Sequence, residues 1–316
     1  MEVNSFMEWR KSELKKIIFI LMILIVGTVY AGNATYKKNK KILTSVQSVY
    51  SIAKSLTEGT NIEVYSIFDS DVSMDYGKSA FDNKDLDLSS AKDAVAVVDV
   101  ARVWGNDYLY EYARRKNIRI VEIDASYSFS GNDYLSLSLL NYKNGDRNPY
   151  VWMSFQNVIK MANIVSDDLS ELFPEDGKKI EDNLEKFSQE VKEIENGYLE
   201  KTLTLSSLSV ITLTENLDYL FNDLNIFFNY VDSNEITVEK ISEVMKRNNS
   251  KIFVSDRWIK KEIINEIEKK GGKFLVLDNF NIPRELNEKM DPDGYLKGMK
   301  ENMEKLVEVM KIMDKK

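Results

Sequence analysis

The chain has 316 residues, 43% of them hydrophobic and 30% charged, with a formal net charge of −8. That length suits two lobes better than one small domain, and an acidic chain repels phosphate backbones, so no nucleic-acid partner is expected. Cysteine and histidine are both absent, which removes disulfides, the two best zinc ligands and every Ser–His–Asp or Cys–His catalytic device.

Arg10, Lys11, Lys15 and Lys16 precede an apolar run from Ile17 to Val26, followed by Gly27-Thr28-Val29-Tyr30-Ala31. A basic segment, a short apolar segment and small residues at −3 and −1 read as an export signal spanning residues 1–31, cleaved after Ala31. An uncleaved N-terminal anchor is the rival reading, although the run is shorter than the about 20 apolar residues of a spanning helix. Both readings put the remainder outside the cytoplasm, in a periplasm or at the cell surface. Residues 32–41 read as a mature tail whose lysines, Lys37, Lys38, Lys40 and Lys41, form a solvated basic run.

From there strands and helices alternate. Residues 42–46 read as a strand and 49–56 as a helix with apolar residues at helical spacing; 62–68 alternates as a strand does. Residues 94–100 form a continuous apolar run, as in a strand buried on both faces. A helix over 108–116 and a strand over 118–123 follow. This order predicts an α/β lobe with a mostly parallel sheet over 42–174.

The middle of the chain differs. Residues 154–172 carry Val158, Met161, Ala162, Val165 and Leu169 on one helical face, and Phe173-Pro174 interrupts them. Residues 175–204 then read as one amphipathic helix, with Ile180, Leu184, Phe187, Val191, Ile194 and Tyr198 at spacings of three and four. Such a helix is about 42 Å long and can serve as a spine joining two lobes. The alternation restarts over 205–316. Strands are expected at 207–213, 226–231, 251–254 and 274–277. Helices are expected at 215–222, 237–246 and 258–270, with Gly271-Gly272 as a stop. A closing helix spans 291–313, with Pro292 in its first turn. Ligands of open α/β sheets bind at the carboxyl ends of strands, so two facing lobes enclose a cleft.

Asn148-Pro149-Tyr150-Val151-Trp152-Met153-Ser154, followed by Asn157 and a helix, resembles the N-P-H-V-W-L segment of metal-binding solute-binding proteins. Those proteins serve zinc and manganese ABC importers. Pro174 with Asn183-Leu184-Glu185-Lys186-Phe187 is similar to that family's spine helix. Asp293-Gly294-Tyr295-Leu296 with Glu301-Asn302-Met303-Glu304-Lys305-Leu306 is similar to its closing helix. The resemblance runs over essentially the whole mature chain. It implies two α/β lobes on a helical backbone, and a binding subunit rather than an enzyme. It further implies a divalent metal ion or other small solute as transported ligand, and an ABC permease as partner. The receptor is expected to be a monomer that tilts only slightly on binding.

The family holds its metal with three histidines and a carboxylate. By resemblance, Met74, Tyr150 and Thr214 stand at the histidine positions and Asp278 at the carboxylate. A thioether, a phenol and a hydroxyl replace three imidazoles. Thioether and hydroxyl are poor zinc ligands, and a phenol must first lose a proton from a reference pKa of about 10. Altered or lost metal binding is therefore expected. Each residue also has a structural reading: Asp278 and Thr214 as helix caps, Met74 as packing, Tyr150 as a wall of the cleft. Asp69, Asp71, Asp75, Glu215 and Asp218 are either solvated acids or part of an oxygen-rich site suited to Mn²⁺, Mg²⁺ or Ca²⁺. Tyr127, Phe129, Tyr134 and Trp104 line a pocket for an organic solute or simply pack. A surface adhesin or scaffold that keeps the fold without transport is the competing function. No G-x-S-x-G, P-loop or G-x-G-x-x-G motif is present.

Overall fold

Apolar runs too short to be helices become strands buried on both faces. β1 (Lys41–Thr44), β2 (Glu63–Ser66), β3 (Ala96–Asp99) and β4 (Val121–Asp124) form the first sheet, in the order β2-β1-β3-β4. All its pairings are parallel, with Ile42 opposite Val64 on one side and Ala96 on the other. Every residue of β3 is buried, as helices on both faces require. α1 (Gln47–Leu56) and α2 (Leu109–Lys116) are the main covering helices. The computed structural model describes residues 40–68, 72–82, 88–129, 133–287 and 289–315. The expected export signal, Lys37, Lys38, Asp69 and Asp71 lie outside these residues.

Ser154 caps the next helix, α3 (Phe155–Leu172), by accepting a hydrogen bond from the Asn157 amide at 3.1 Å. Phe173-Pro174 ends it, because Pro disfavours the helical conformation in the residue before it. α4 (Gly177–Thr202) is one unbroken helix of 26 residues, about 39 Å long. Its buried side chains Ile180, Phe187, Val191 and Tyr198 follow the expected stripe, and it packs on α1 and α3.

The second sheet repeats the first. β5 (Ser209–Thr212), α5 (Asp218–Asp223), β6 (Phe227–Tyr230), α6 (Ile241–Asn248), β7 (Ile252–Ser255), α7 (Lys261–Lys269) and β8 (Lys273–Val276) give the parallel order β6-β5-β7-β8. A small antiparallel pair, β9 (Glu285–Leu286) and β10 (Lys289–Met290), precedes α8 (Gly294–Asp314), which returns to pack on α1 and α4. Val98 of the first sheet, Val158, Phe187, Val254 of the second sheet and Met299 belong to one continuous buried cluster. The two sheets thus share a core through α3, α4 and α8.

Several element boundaries differ from the sequence expectation. Helix 258–270 begins only at Lys261, since Lys260 is extended (φ −56°, ψ 131°). Trp258 is left in a loop, 76% exposed. Helix 215–222 begins at Asp218, after a turn in which the Asp218 amide bonds the Glu215 carbonyl. Helix 237–246 splits into a 3-10 turn, Val238–Lys240, and α6. Pro292 precedes α8 rather than sitting in its first turn.

Candidate functional site

Both sheets reverse strand order between their first and third strands, and the carboxyl ends beside such a reversal are where open α/β sheets bind ligands. In the second sheet these ends are the residues just after β5 and β7. Asp256 follows β7 and is the centre of the site, with a side chain only 1% exposed. Its Oδ2 accepts hydrogen bonds from Asn216 Nδ2 at 2.6 Å, Asn279 Nδ2 at 2.9 Å and Thr214 Oγ1 at 3.2 Å. Its Oδ1 accepts one from Arg257 Nε at 3.1 Å. Three elements of the second lobe, the ends of β5, β7 and β8, therefore converge on one carboxylate that accepts four hydrogen bonds.

The first lobe reaches this centre from two sides. Arg257 Nη2 lies 3.9 Å from Asp75 Oδ2, so the guanidinium stands between an acid of each lobe. The neighbouring Ser73 Oγ donates to Asn281 Oδ1 and the Met74 amide to the Asn281 carbonyl, both at 3.0 Å. On the other side, the segment before Tyr150 is stitched to the start of α5. Tyr142 Oη donates to Asn216 Oδ1 at 2.8 Å, Asn148 Nδ2 to the Glu215 carbonyl at 2.7 Å, and Tyr219 Oη to the Asn148 carbonyl at 3.1 Å. Trp152 Nε1 donates to the Asn279 carbonyl at 3.0 Å. These bonds hold the two lobes together around the Asp256 cluster.

The four residues named from the sequence are distributed unevenly. Thr214 belongs to the cluster, and its hydroxyl also accepts from the Asn216 amide at 3.2 Å, as a local cap does. Tyr150 is 5% exposed and packs edge-on against Trp152, with ring centroids 5.5 Å apart. Burial pushes its phenol pKa up, the Asp75 and Asp256 carboxylates push it further, and Arg257 opposes them. The hydroxyl therefore stays protonated near neutral pH. Met74 is buried in the shared core. Asp278 turns elsewhere. Its Oδ1 accepts from the Phe280 amide at 2.8 Å and its Oδ2 pairs with Arg284 Nη1 at 3.2 Å. No hydrogen bond or ion pair among the described residues joins it to Tyr150, Thr214 or Asp256.

Of the remaining acids, Asp75 faces Arg257, and the Glu215 carboxylate accepts from the Lys143 amide at 2.9 Å. Asp218 keeps one buried carboxylate oxygen without a partner. Burial, with Glu215 adding to it and Lys143 opposing, raises its pKa to about 7. No group of three or more carboxylates among the described residues is arranged to hold a metal ion. Of the aromatic candidates, Tyr127 and Phe129 carry the Arg102 guanidinium 5.0 and 5.7 Å from their ring centres. Trp104 packs against the core and Tyr134 is exposed. Asp256, Arg257 and Asn279 were not singled out from the sequence. Their signal is positional: Asp256 and Arg257 directly follow β7, and Asn279 lies three residues after the end of β8.

The family described as zinc-uptake complex component A, periplasmic, matches residues 42–309. Solved structures similar to the chain include the solute-binding protein FpvC of Pseudomonas aeruginosa in complex with Mn²⁺. It is 16% identical, with a TM-score of 0.66 over 87% of this chain and 100% of that one. The Zn(II)-bound ZnuA-like domain of Streptococcus pneumoniae AdcA is 17% identical, with a TM-score of 0.65 over 86% and 99%. A crystal structure of ZnuA is 16% identical, with a TM-score of 0.65 over 85% and 98%. At these identities the likeness is one of fold. No curated protein is recognisably similar to the chain in sequence.

Proposed function

The chain belongs to the family of periplasmic zinc-uptake component A proteins, solute-binding receptors rather than enzymes, and from that premise we propose that it is the exported receptor of an ABC importer whose zinc or manganese site has been altered so that tight metal binding is lost. Its partner in this reading is a membrane permease, to which it delivers solute as a monomer. One observation carries the proposal. The carboxylate on which the three strand ends converge, Asp256, accepts hydrogen bonds from Thr214, Asn216, Asn279 and the Arg257 guanidinium. A cation of the protein's own therefore stands beside the oxygens that a divalent ion needs, and like charges repel. The neighbouring phenol, Tyr150, holds its proton near neutral pH, so a metal would have to displace that proton to gain an anionic ligand. Met74 offers a neutral thioether, which suits neither zinc nor manganese.

The shared core and the unbroken α4 favour a small tilt of the lobes on binding over a wide hinge closure. Calorimetric titration of the tag-free protein with zinc and with manganese tests the metal reading. The expected result is no binding in the nanomolar range; a single nanomolar site would defeat it. Small-angle scattering tests the motion, and a large compaction on adding solute would contradict the stiff backbone.

A further inference from the structure

A metal ion needs one coordination shell, yet the carboxyl ends of β5 and β7 border a cavity of about 1000 Å³ open to solvent. That lies at the upper end of the roughly 300–1,000 Å³ range of sites for small organic molecules. The matching position in the first lobe is filled. There Ser45 Oγ donates to both Asp107 oxygens at 2.9 Å, and the Val100 and Leu109 amides donate to the same carboxylate at 3.2 and 3.3 Å. At the second lobe's strand reversal the cavity is open to solvent.

The cavity walls have a consistent chemistry. Trp258 lines the cavity with its side chain largely exposed, braced from behind by Phe274 at 6.1 Å. Lys143 Nζ sits 4.3 Å from the centre of the Tyr230 ring, and Lys260 stands at the amino end of α7, where it provides no side-chain cap. Neither lysine is in an ion pair with a described residue, whereas Arg257 is paired with Asp256. The lining acid Glu215 is engaged by the Lys143 amide. An acidic chain thus presents two ammonium groups that form no ion pair with a described residue, a helix amino end and an exposed indole in one cavity. Cations and helix amino ends favour anions, and an exposed indole favours a flat ring.

We infer that this cavity is the solute site and that its ligand is a small organic anion carrying a flat ring, with the ring on Trp258 and the acidic group between Lys143 and Lys260. The inference rests on the receptor reading above and names its solute class.

The test titrates tag-free protein with naphthalene-1-sulfonate and phenyl phosphate, and with the neutral compounds naphthalene-1-sulfonamide and phenol, by saturation-transfer NMR. Both anions are expected to bind, each roughly fivefold tighter than its neutral partner, as a solvent-exposed charge contact implies. Trp258→Ala, a change at an exposed site, should weaken both anions by about fivefold, the value of one stacked ring. The double variant Lys143→Met/Lys260→Met should erase the preference for the anion, with the thermal melt showing that each variant is folded. The inference is overturned if neither anion binds, if the neutral compounds bind equally well, or if Trp258→Ala leaves anion binding unchanged. Zinc titration of the same wild-type sample separates the two claims. Nanomolar zinc would remove the altered-metal reading, while the comparison of anions with neutral rings would still decide the cavity.

Discussion

Asp256→Asn tests whether one buried carboxylate organises the site. The amide oxygen of the variant can still accept from Thr214, Asn216 and Asn279, but its NH₂ then faces Arg257 Nε, donor against donor. Bonds to a charged acceptor contribute about 1 kcal/mol more than neutral ones, so neutralising the acceptor of three such bonds costs roughly 3 kcal/mol. The Arg257 side chain is 61% exposed, so loss of its pair adds about 1 kcal/mol at most. Relief from burying a charge returns a similar amount. The expected loss is thus about 3 kcal/mol, or roughly 6 °C of melting temperature for a unit of this size, read by circular dichroism. A melting temperature within about 1 °C of wild type would refute the idea that Asp256 organises the site, because no arrangement of the amide preserves all four bonds.

Burial raises the carboxyl of Asp107 to about 6 and of Asp218 to about 7, whereas both titrate near 4 in the unfolded chain. The folded state therefore holds more protons between these values, and the stability this provides is full at low pH and lost as pH rises through about 6–7. Melting at pH 8 should fall below melting at pH 5, and Asp218→Asn should raise it at pH 8 while changing little at pH 5; a wild-type profile that rises with pH would contradict the assignment. Gly298→Ala puts a methyl group 2.5 Å from Phe280 and 2.8 Å from Arg284 Nη1; overpacking of about 1–3 kcal/mol should outweigh the roughly 1 kcal/mol helix gain, so denaturant titration should show net destabilisation. Arg257→Met removes the cation between Asp75 and Asp256 and should strengthen manganese binding by about tenfold, measured by calorimetry; unchanged binding would show that Arg257 does not repel the ion.

The alternation of buried runs and amphipathic helices made both sheets and the long α4 readable in the sequence, because period and burial are local properties. The site was less legible. A side chain's direction depends on its neighbours in space: Asp278 and Asn279 are adjacent, yet the acid turns to Arg284 and the amide to Asp256. The side chain that faces the cluster is thus the one after Asp278, a difference that spacing in the sequence does not carry. Asp256-Arg257 escaped notice because the helix was extended backwards to Trp258. The apolar residues Ile259, Ile263 and Ile267 keep helical spacing, but the backbone turns extended at Lys260. What lay outside any local pattern was that three strand ends meet at one carboxylate.

The most direct measurement is anomalous scattering at the zinc absorption edge from crystals of the tag-free protein grown with stoichiometric zinc. Arg257 paired with Asp256 predicts no anomalous peak within the cluster of Tyr150, Thr214, Asp256 and Asn279. A full-occupancy peak there, with Arg257 displaced, would contradict the account.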